Sequence, residues 1–383
     1  MKIKSIESFI LCDKLKESFS FSQWEYSERR ICIVKVTSDT GHVGWGEGYG
    51  PASIIKAGIE NLTPFLVGQN PLHIETIWNI MYRRTLDYAR RGILVSAISA
   101  IDVALWDLKG KIMEQPVYLL LGGKKRDSIV PYATGLYFTK NKDLGDALAK
   151  EAKEYSDLGY KAIKMKVGLS IEEDIEHVRM VRGAIGPDID LMIDANHAYN
   201  LREAIKLARA VEPYNIYWFE EPLSPEYYEQ YSELRTKTTI PIAGGECEYL
   251  RYGFQTLLSS KSVDIIQPDI CATGGLTEAK RIATLASVYG AEIVPHTWGT
   301  GIAFSAAMHF VTNIDCLPGR LKEPICYIEH DRTENGLREE LTNSRMAYEN
   351  GAIKIDDTVG LGFTVNEDAL EKYKIDKTHE LWT

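Results

Sequence analysis

Hydrophobic and polar positions along the chain fall into two regimes. Up to about residue 125 the pattern is mixed. Met1 to Leu15 alternates apolar and polar residues and reads as a strand. Arg30 to Val36 (RICIVKV) alternates in the same way, and Asp39-Thr40-Gly41 then separates it from HVGWGE, which predicts a hairpin. Helical periodicity follows at roughly 52–66, 72–86 and 93–113, with Ile98, Ile101, Ala104, Leu105 and Leu108 spaced to share one helix face in the last.

From Ile129 the pattern becomes short apolar runs separated by amphipathic stretches. The predicted strands are 129–135, 161–167, 190–195, 215–220, 240–246, 263–269, 291–296 and 325–330. Segments such as DLGDALAKEAKEYSDLG, NLREAIKLARAV and LTEAKRIATLASVYG supply helices between them. This alternation predicts an α/β fold, a (β/α)8-type TIM barrel of roughly 200–250 residues. The expected organisation is an α+β capping domain over 1–125, the barrel over 126–330, and a C-terminal segment over 331–383 that returns to the cap. In that last segment GAIKI and GLGFTV read as strands. No GxGxxG or Walker sequence accompanies the strands, which argues against an open nucleotide-binding sheet.

Composition narrows the function classes. With 45% hydrophobic and 26% charged residues the chain has the profile of a globular enzyme. A formal net charge of −10 disfavours a nucleic-acid partner, whose phosphates it would repel. No apolar run reaches the roughly 20 residues of a membrane span, and the start does not resemble a signal peptide. The six cysteines (12, 32, 247, 271, 316 and 326) lack metal-ligand spacing, so reduced thiols and a cytoplasmic location are expected.

The chemistry is concentrated where the strands end. Catalytic groups of such barrels project from the C-terminal ends of the strands. Those positions here are Lys166, Asp194, Glu220, Glu246, Asp269, His296 and Glu329. Asp194, Glu220 and Glu246 recur at intervals of 26 residues, about one strand–helix unit each. Three converging carboxylates repel one another unless a cation intervenes, and an all-oxygen set suits Mg2+. Glu221 competes with Glu220, but period two places Glu220 on the face of Trp218, and Glu220 is preferred. Lys164 and Lys166 share an inward face, where a lysine among cations is expected to have a lowered pKa and to act as a base. Asp269 can orient His296 as an acid or base, and Glu329 faces the same opening. Each of these residues alone has a plainer reading, such as a rim carboxylate, a helix cap or a packed histidine. The joint pattern on consecutive strands favours chemistry. Cap loops around Phe19 to Arg30 and Gly48 to Ser53 are expected to shape the substrate pocket. Trp24, Tyr137, Asn196 and Trp298 are the candidate contacts.

In this set the chain resembles the mandelate racemase group of the enolase superfamily. The resemblance rests on KMK (164–166), IDAN (193–196), FEEP (219–222), GGE (244–246), QPD (267–269) and PH (295–296), together with IDVALWDLKGK (101–111) and PVYLLLGG (116–123) in the cap. It implies Mg2+ held by Asp194, Glu220 and Glu246. It also implies Lys166 and His296 on opposite faces of the substrate, Lys164 on the substrate carboxylate and Glu329 across from it. PYATG (131–135), DANHAY (194–199), PHTWGTG (295–301) and IEHDRT (328–333) look most like the sugar-acid lactone and anhydro-sugar-acid cycloisomerases of that group. The expected activity is therefore opening of a D-galactaro-1,4-lactone-like substrate by α-proton abstraction and β-elimination. Acid-sugar dehydration is the second reading, epimerisation or racemisation the third, and a non-catalytic binding protein the last. A small-molecule sugar acid or lactone is the expected partner, and the enzyme is expected to be a homo-oligomer. Two positions depart from the group: Glu114 where a Gly commonly ends the cap helix, and Val359 where Pro commonly precedes Gly-Leu-Gly.

Overall fold

The computed structural model describes residues 1–140, 143–315, 321, 325–343, 348–349 and 351–375. The chain opens with an antiparallel sheet of β1 (Ile3–Ser20), β2 (Glu25–Ser38) and β3 (Val43–Gly48). It continues through α1 (Ala52–Leu66), α2 (Ile74–Thr85), α3 (Ile93–Ile112) and the short α4 (Val117–Leu120). The predicted hairpin is present, with Thr37 opposite Val43. Its glycines are explained by α3, which lies directly on β3. A Cβ on Gly44 would come within 2.1 Å of the Ala104 carbonyl oxygen, and one on Gly46 within 2.0 Å of that of Ala100. Only a residue without a side chain allows this approach.

The barrel strands are β4 (Ser128–Thr134), β5 (Ala162–Lys166), β6 (Asp190–Asp194), β7 (Ile216–Glu220), β8 (Ile242–Gly244), β9 (Ile265–Ile266), β10 (Glu292–Ile293) and β11 (Tyr327–Asp331). Consecutive strands from β4 to β10 pair in parallel, and β11 pairs in parallel with β4. Between them run α5 (Leu144–Asp157), α6 (Ile171–Ile185), α7 (Leu201–Val211), α8 (Tyr228–Arg235), α9 (Leu250–Ser259), α10 (Gly275–Tyr289) and α11 (Gly301–Asn313). Local signals set several starts. Asn200 and Glu203 form a reciprocal capping box at α7, and Ser170 accepts from the Glu173 N–H at α6. Strands β9 and β10 are shorter than the alternation predicts. Pro268 and Pro295 follow within two residues of their ends and cannot donate to a ladder.

Beyond β11 come α12 (Gly336–Glu340), β12 (Tyr348–Glu349), β13 (Ala352–Lys354) and α13 (Glu367–Tyr373). The GAIKI stretch does form a strand, but β13 joins the barrel through β4, opposite Ile129, rather than the cap sheet. GLGFTV is not a strand. Gly360 and Gly362 have φ of 71° and 79°, and among the described residues the segment makes only single bridges, such as Gly360 to Pro116. The end of the described chain does reach the cap, where Lys374 bridges Leu11. Glu114, which replaces the commonly found Gly after α3, sits at φ 52°. The left-handed conformation that favours Gly is thus retained with a glutamate in it.

Two large apolar clusters fill the cap with its barrel contacts and the layer between barrel strands and helices. A third lies inside the barrel: Tyr132, Ala162, Met192, Trp218, Ala243, Ile265, Val294 and Tyr327, one from each strand or its extension. This inner plug fixes which residues point into the mouth above it.

Candidate active site

Two residues beyond each plug residue, the period-two rule returns a side chain to the barrel interior. The rule gives Thr134 above Tyr132, Lys164 and Lys166 above Ala162, Asp194 above Met192, Glu220 above Trp218, Gln267 and Asp269 above Ile265, His296 above Val294, and Glu329 above Tyr327. On β8 the rule would turn Gly245 inward and Glu246 outward. Gly245 has φ 128°, a conformation restricted to glycine, and this breaks the alternation. Glu246 instead meets His296, its Oε2 lying 3.5 Å from Nε2.

Lys164 is fully buried and sits among acids. Its Nζ contacts Glu220 Oε1, lies 2.9 Å from Glu329 Oε1 and stands 3.5 Å from Asp194 Oδ2. Lys166 donates to Asp194 Oδ2 at 2.6 Å and to Asn196 Oδ1 at 2.8 Å. Glu220 Oε2 accepts from Trp218 Nε1 at 2.8 Å and from Gln267 Nε2 at 2.7 Å. Glu329 accepts from Thr134 Oγ1 at 2.6 Å and from the Thr297 N–H at 2.9 Å. His296 Nδ1 lies 2.7 Å from Asp269 Oδ2, and Asp269 Oδ1 accepts from the Cys271 N–H at 2.6 Å. Since a carboxylate only accepts, His296 Nδ1 carries the proton and Nε2 faces Glu246.

The electrostatics follow from this crowding. Burial pushes Glu220 up to about 7, Lys164 pulling it down while Asp194, Glu329 and Glu246 push it further up. Burial opposes ionisation of Asp194 and Glu329 too, but the lysines win. Asp194 is held well below the usual carboxylate range, and Glu329 comes down to about 2. Desolvation works against the charge on His296, yet Glu246, Asp269 and Glu329 raise it to about 10. The lysines respond to the acids around them. Despite burial, Lys166 is raised by Asp194 and Lys164 by Glu220, because each ammonium faces more carboxylate than cation. A lowered lysine pKa therefore does not arise from the protein's own charges.

Around this centre the structure brings the predicted aromatics together. Tyr137 is buried 5.4 Å from Trp298 (ring centroids), and Lys166 Nζ stands 5.0 Å above its ring. Trp298 packs near Tyr26, and the Arg29 guanidinium lies 3.9 Å over it. Trp24 is about half exposed and packs on Phe21 and Tyr26. Asn196 holds Lys166 from a left-handed backbone at φ 41°. A cavity of about 550 Å³ runs between cap and barrel, lined by Trp24, Tyr26, Arg29, Tyr49 and Trp298 among others. Both predicted cap segments line this cavity, whose wall does not include Lys166, His296, Tyr137, Asn196 or the three acids.

Several contributors escape the sequence. Gln267 and Thr134 could have been found, since they lie on the same inward register as the acids. Arg29 could not: it pairs with Asp331 Oδ2 at 3.2 Å and donates to Thr333 at 2.9 Å, across some 300 positions. Glu47, pushed up to about 7 by burial, accepts from the Thr300 N–H at 3.0 Å and so ties β3 to the loop bearing Trp298.

Comparison with known proteins gives the family. Residues 5–122 match the mandelate racemase / muconate lactonizing enzyme N-terminal domain, and residues 147–369 the enolase C-terminal domain-like family. The chain is 41% identical over 377 residues to a D-galactarolactone cycloisomerase of Agrobacterium fabrum (strain C58), covering 98% of this chain and 99% of that protein. A solved 3,6-anhydro-D-galactonate cycloisomerase from Zobellia galactanivorans is 53% identical, with a TM-score of 0.91 over 98% of this chain and 100% of that one. A mutant L-talarate/galactarate dehydratase liganded with Mg and L-glucarate is 28% identical, with a TM-score of 0.87 over 98% and 92%. No helix among the described residues is long and apolar enough to cross a membrane.

Proposed function

Since the chain belongs to the mandelate racemase and muconate lactonizing enzyme family, with its enolase-like barrel, we propose that it is a Mg2+-dependent cycloisomerase of cyclic sugar acids. Its substrate would be a D-galactaro-1,4-lactone or a related ring such as a 3,6-anhydro-galactonate, opened to a 3-deoxy-2-keto acid. The observation that carries the reading is the bracketing of three strand-end acids by two proton-transfer groups. Lys166 touches Asp194 at one end, and His296 faces Glu246 at the other. Cycloisomerase relatives at 41% and 53% identity support the ring-opening outcome.

Asp194, Glu220 and Glu246 are the residues that would hold the metal. The donor set fits: it is all oxygen, and Glu220 is buried among Asp194, Glu246 and Glu329, carboxylates whose mutual repulsion a hard cation would relieve. Bound Mg2+ supplies a compact positive charge against which the substrate carboxylate becomes more acidic at its α-carbon. Lys164 adds an ammonium for the same carboxylate. Lys166 takes the α-proton in its neutral form, so its ammonium proton must first pass to solvent, a loss that would become easier once the charge of Asp194, which holds that proton, is turned to a bound metal. Asn196 keeps the Lys166 side chain aimed. The electron pair left on the α-carbon forms the new C=C as the β-carbon–oxygen bond breaks. In the lactone the departing oxygen leaves as a carboxylate, and His296, positioned by Asp269, returns a proton as the enol becomes a ketone. Tyr137, Trp24 and Trp298 would wall the ring. In this reading the protein acts in the cytoplasm, as a homo-oligomer, on small molecules rather than on nucleic acid or membrane.

Dehydration remains the second reading, since an open-chain acid sugar would use the same base and expel a hydroxyl. The test is a panel of aldonates, aldarates and their lactone and anhydro forms with Mg2+, read by 2-keto acid formation. Turnover of cyclic substrates is the expected result. Reaction on open-chain acids alone would replace the proposal with dehydration.

A further inference from the structure

Glu221 follows Glu220 in the chain but faces the other way, and what it meets has no part in the reaction above. Its carboxylate is buried, and Oε2 finds no hydrogen-bond donor among the described residues. His197 Nε2 stands 3.1 Å from that oxygen, and Cys247 Sγ is 3.6 Å from the same nitrogen. The ring of His197 is fixed by its other nitrogen, which lies 3.0 Å from the Leu223 carbonyl oxygen. A carbonyl only accepts, so Nδ1 bears the proton, and the neutral ring presents a lone pair at Nε2. With Glu221 ionised, two lone-pair atoms face each other at 3.1 Å with sulfur alongside, and either a proton or a metal ion belongs between them.

We propose that His197, Glu221 and Cys247 form a second cation site, suited to a thiophilic divalent ion such as Zn2+. Among the described residues this is the one group of at least three His, Cys, Asp or Glu whose donor atoms all lie within 4.8 Å of one another. Asp194, Glu220 and Glu246, with lysine ammoniums among them, do not close to that spacing. A tetrahedral zinc with ordinary bond lengths sets its N and O ligands about 3.3 Å apart and its N and S ligands about 3.6 Å apart. The observed separations of 3.1 and 3.6 Å need almost no rearrangement. The donor set is nitrogen, sulfur and oxygen, which selects zinc-like ions over Mg2+. The bond from Nδ1 to a backbone carbonyl is the usual support of a metal-binding histidine. The backbone is also held out of its relaxed conformation here: His197 and Glu221 have φ of 68° and 41°, rare for residues with side chains. Cys247 is exposed, which gives an ion a way in and leaves a fourth position for water.

Cobalt(II) is the probe, because a thiolate ligand produces a sulfur-to-cobalt charge-transfer absorption that carboxylates cannot. Full-length protein with Mg2+ in excess, titrated with Co2+, is expected to develop that absorption with about one equivalent and to lose it when Zn2+ is added. Cys247→Ala should abolish the band. His197→Gln, which retains the thiol, should shift its titration midpoint by at least about tenfold. No band in the wild-type protein, a band that survives Cys247→Ala, or an unshifted midpoint in His197→Gln would each overturn the site. In those cases Glu221 and His197 are an ordinary proton-bridged pair.

Discussion

Lys166 Nζ lies 2.6 Å from Oδ2 of Asp194, its register partner on the adjacent strand. The base is therefore built against the group proposed to bind the metal. Deleting it should separate binding from proton transfer. Lys166→Ala is expected to lower solvent deuterium exchange at the substrate α-carbon by at least about 100-fold, within the range a positioned base contributes. Substrate binding, read by calorimetry, should remain measurable. Exchange at the wild-type rate would move the role of base to His296.

Metal removal tests the acids. Activity should vanish in EDTA and return with Mg2+ or Mn2+. Glu220→Gln should weaken Mg2+ binding by about tenfold or more, because it removes charge from a three-carboxylate set while the amide keeps the volume. Trp218 and Gln267, which both donate to Glu220, can still hold a side-chain oxygen in place. Full activity of rigorously metal-free protein would remove these acids from the mechanism.

Much of this site was legible because the barrel repeats one rule. A plug residue inside the sheet dictates that the second residue beyond it also faces in, so Trp218 assigns Glu220 and sends Glu221 away. Where the rule breaks, the cause is local. Glu246 turns inward through the positive φ of Gly245, and Pro268 and Pro295 cut β9 and β10 short. The protonation of the lysines is not legible from alternation, because it depends on the sum of neighbouring charges. Arg29 over Trp298 was illegible for a different reason: the contact joins cap strand to barrel loop and leaves no periodic trace. The same holds for His197 and Cys247, which only the folded βα loops bring together.

A stability prediction comes from His309, far from the chemistry. It is buried, accepts from the Tyr118 N–H at 3.0 Å, and is pushed down to about 4 by desolvation. The unfolded chain protonates near 6.5 while the folded one does not, so stability is lost as pH falls from about 6.5 toward 4. The loss attributable to this residue is about 3 kcal/mol over that window. Denaturant unfolding at pH 7.5 and pH 5 should show His309→Gln losing less on acidification than the parent. Equal losses in the two proteins would mean that His309 does not set the acid limit.

The leaving group separates ring opening from dehydration, and His296 reads it. A lactone carboxylate departs as a weak base and needs little protonation, whereas hydroxide needs nearly complete proton transfer. A general acid contributes roughly 10²–10⁴-fold, so a dehydratase should lose about that much when His296 becomes Asn. A lactone cycloisomerase should lose less in elimination. Its defect should appear when the enol is reprotonated, because Asp269 would then hold an amide with no proton to give at the carbon. His296→Asn is therefore expected to retain detectable opening of galactaro-1,4-lactone, with altered deuterium incorporation at the new methylene carbon. NMR of the product formed in D2O measures both. A collapse of lactone opening by the full general-acid factor, with the residual product labelled as in the parent enzyme, would show that His296 assists departure of the leaving group instead.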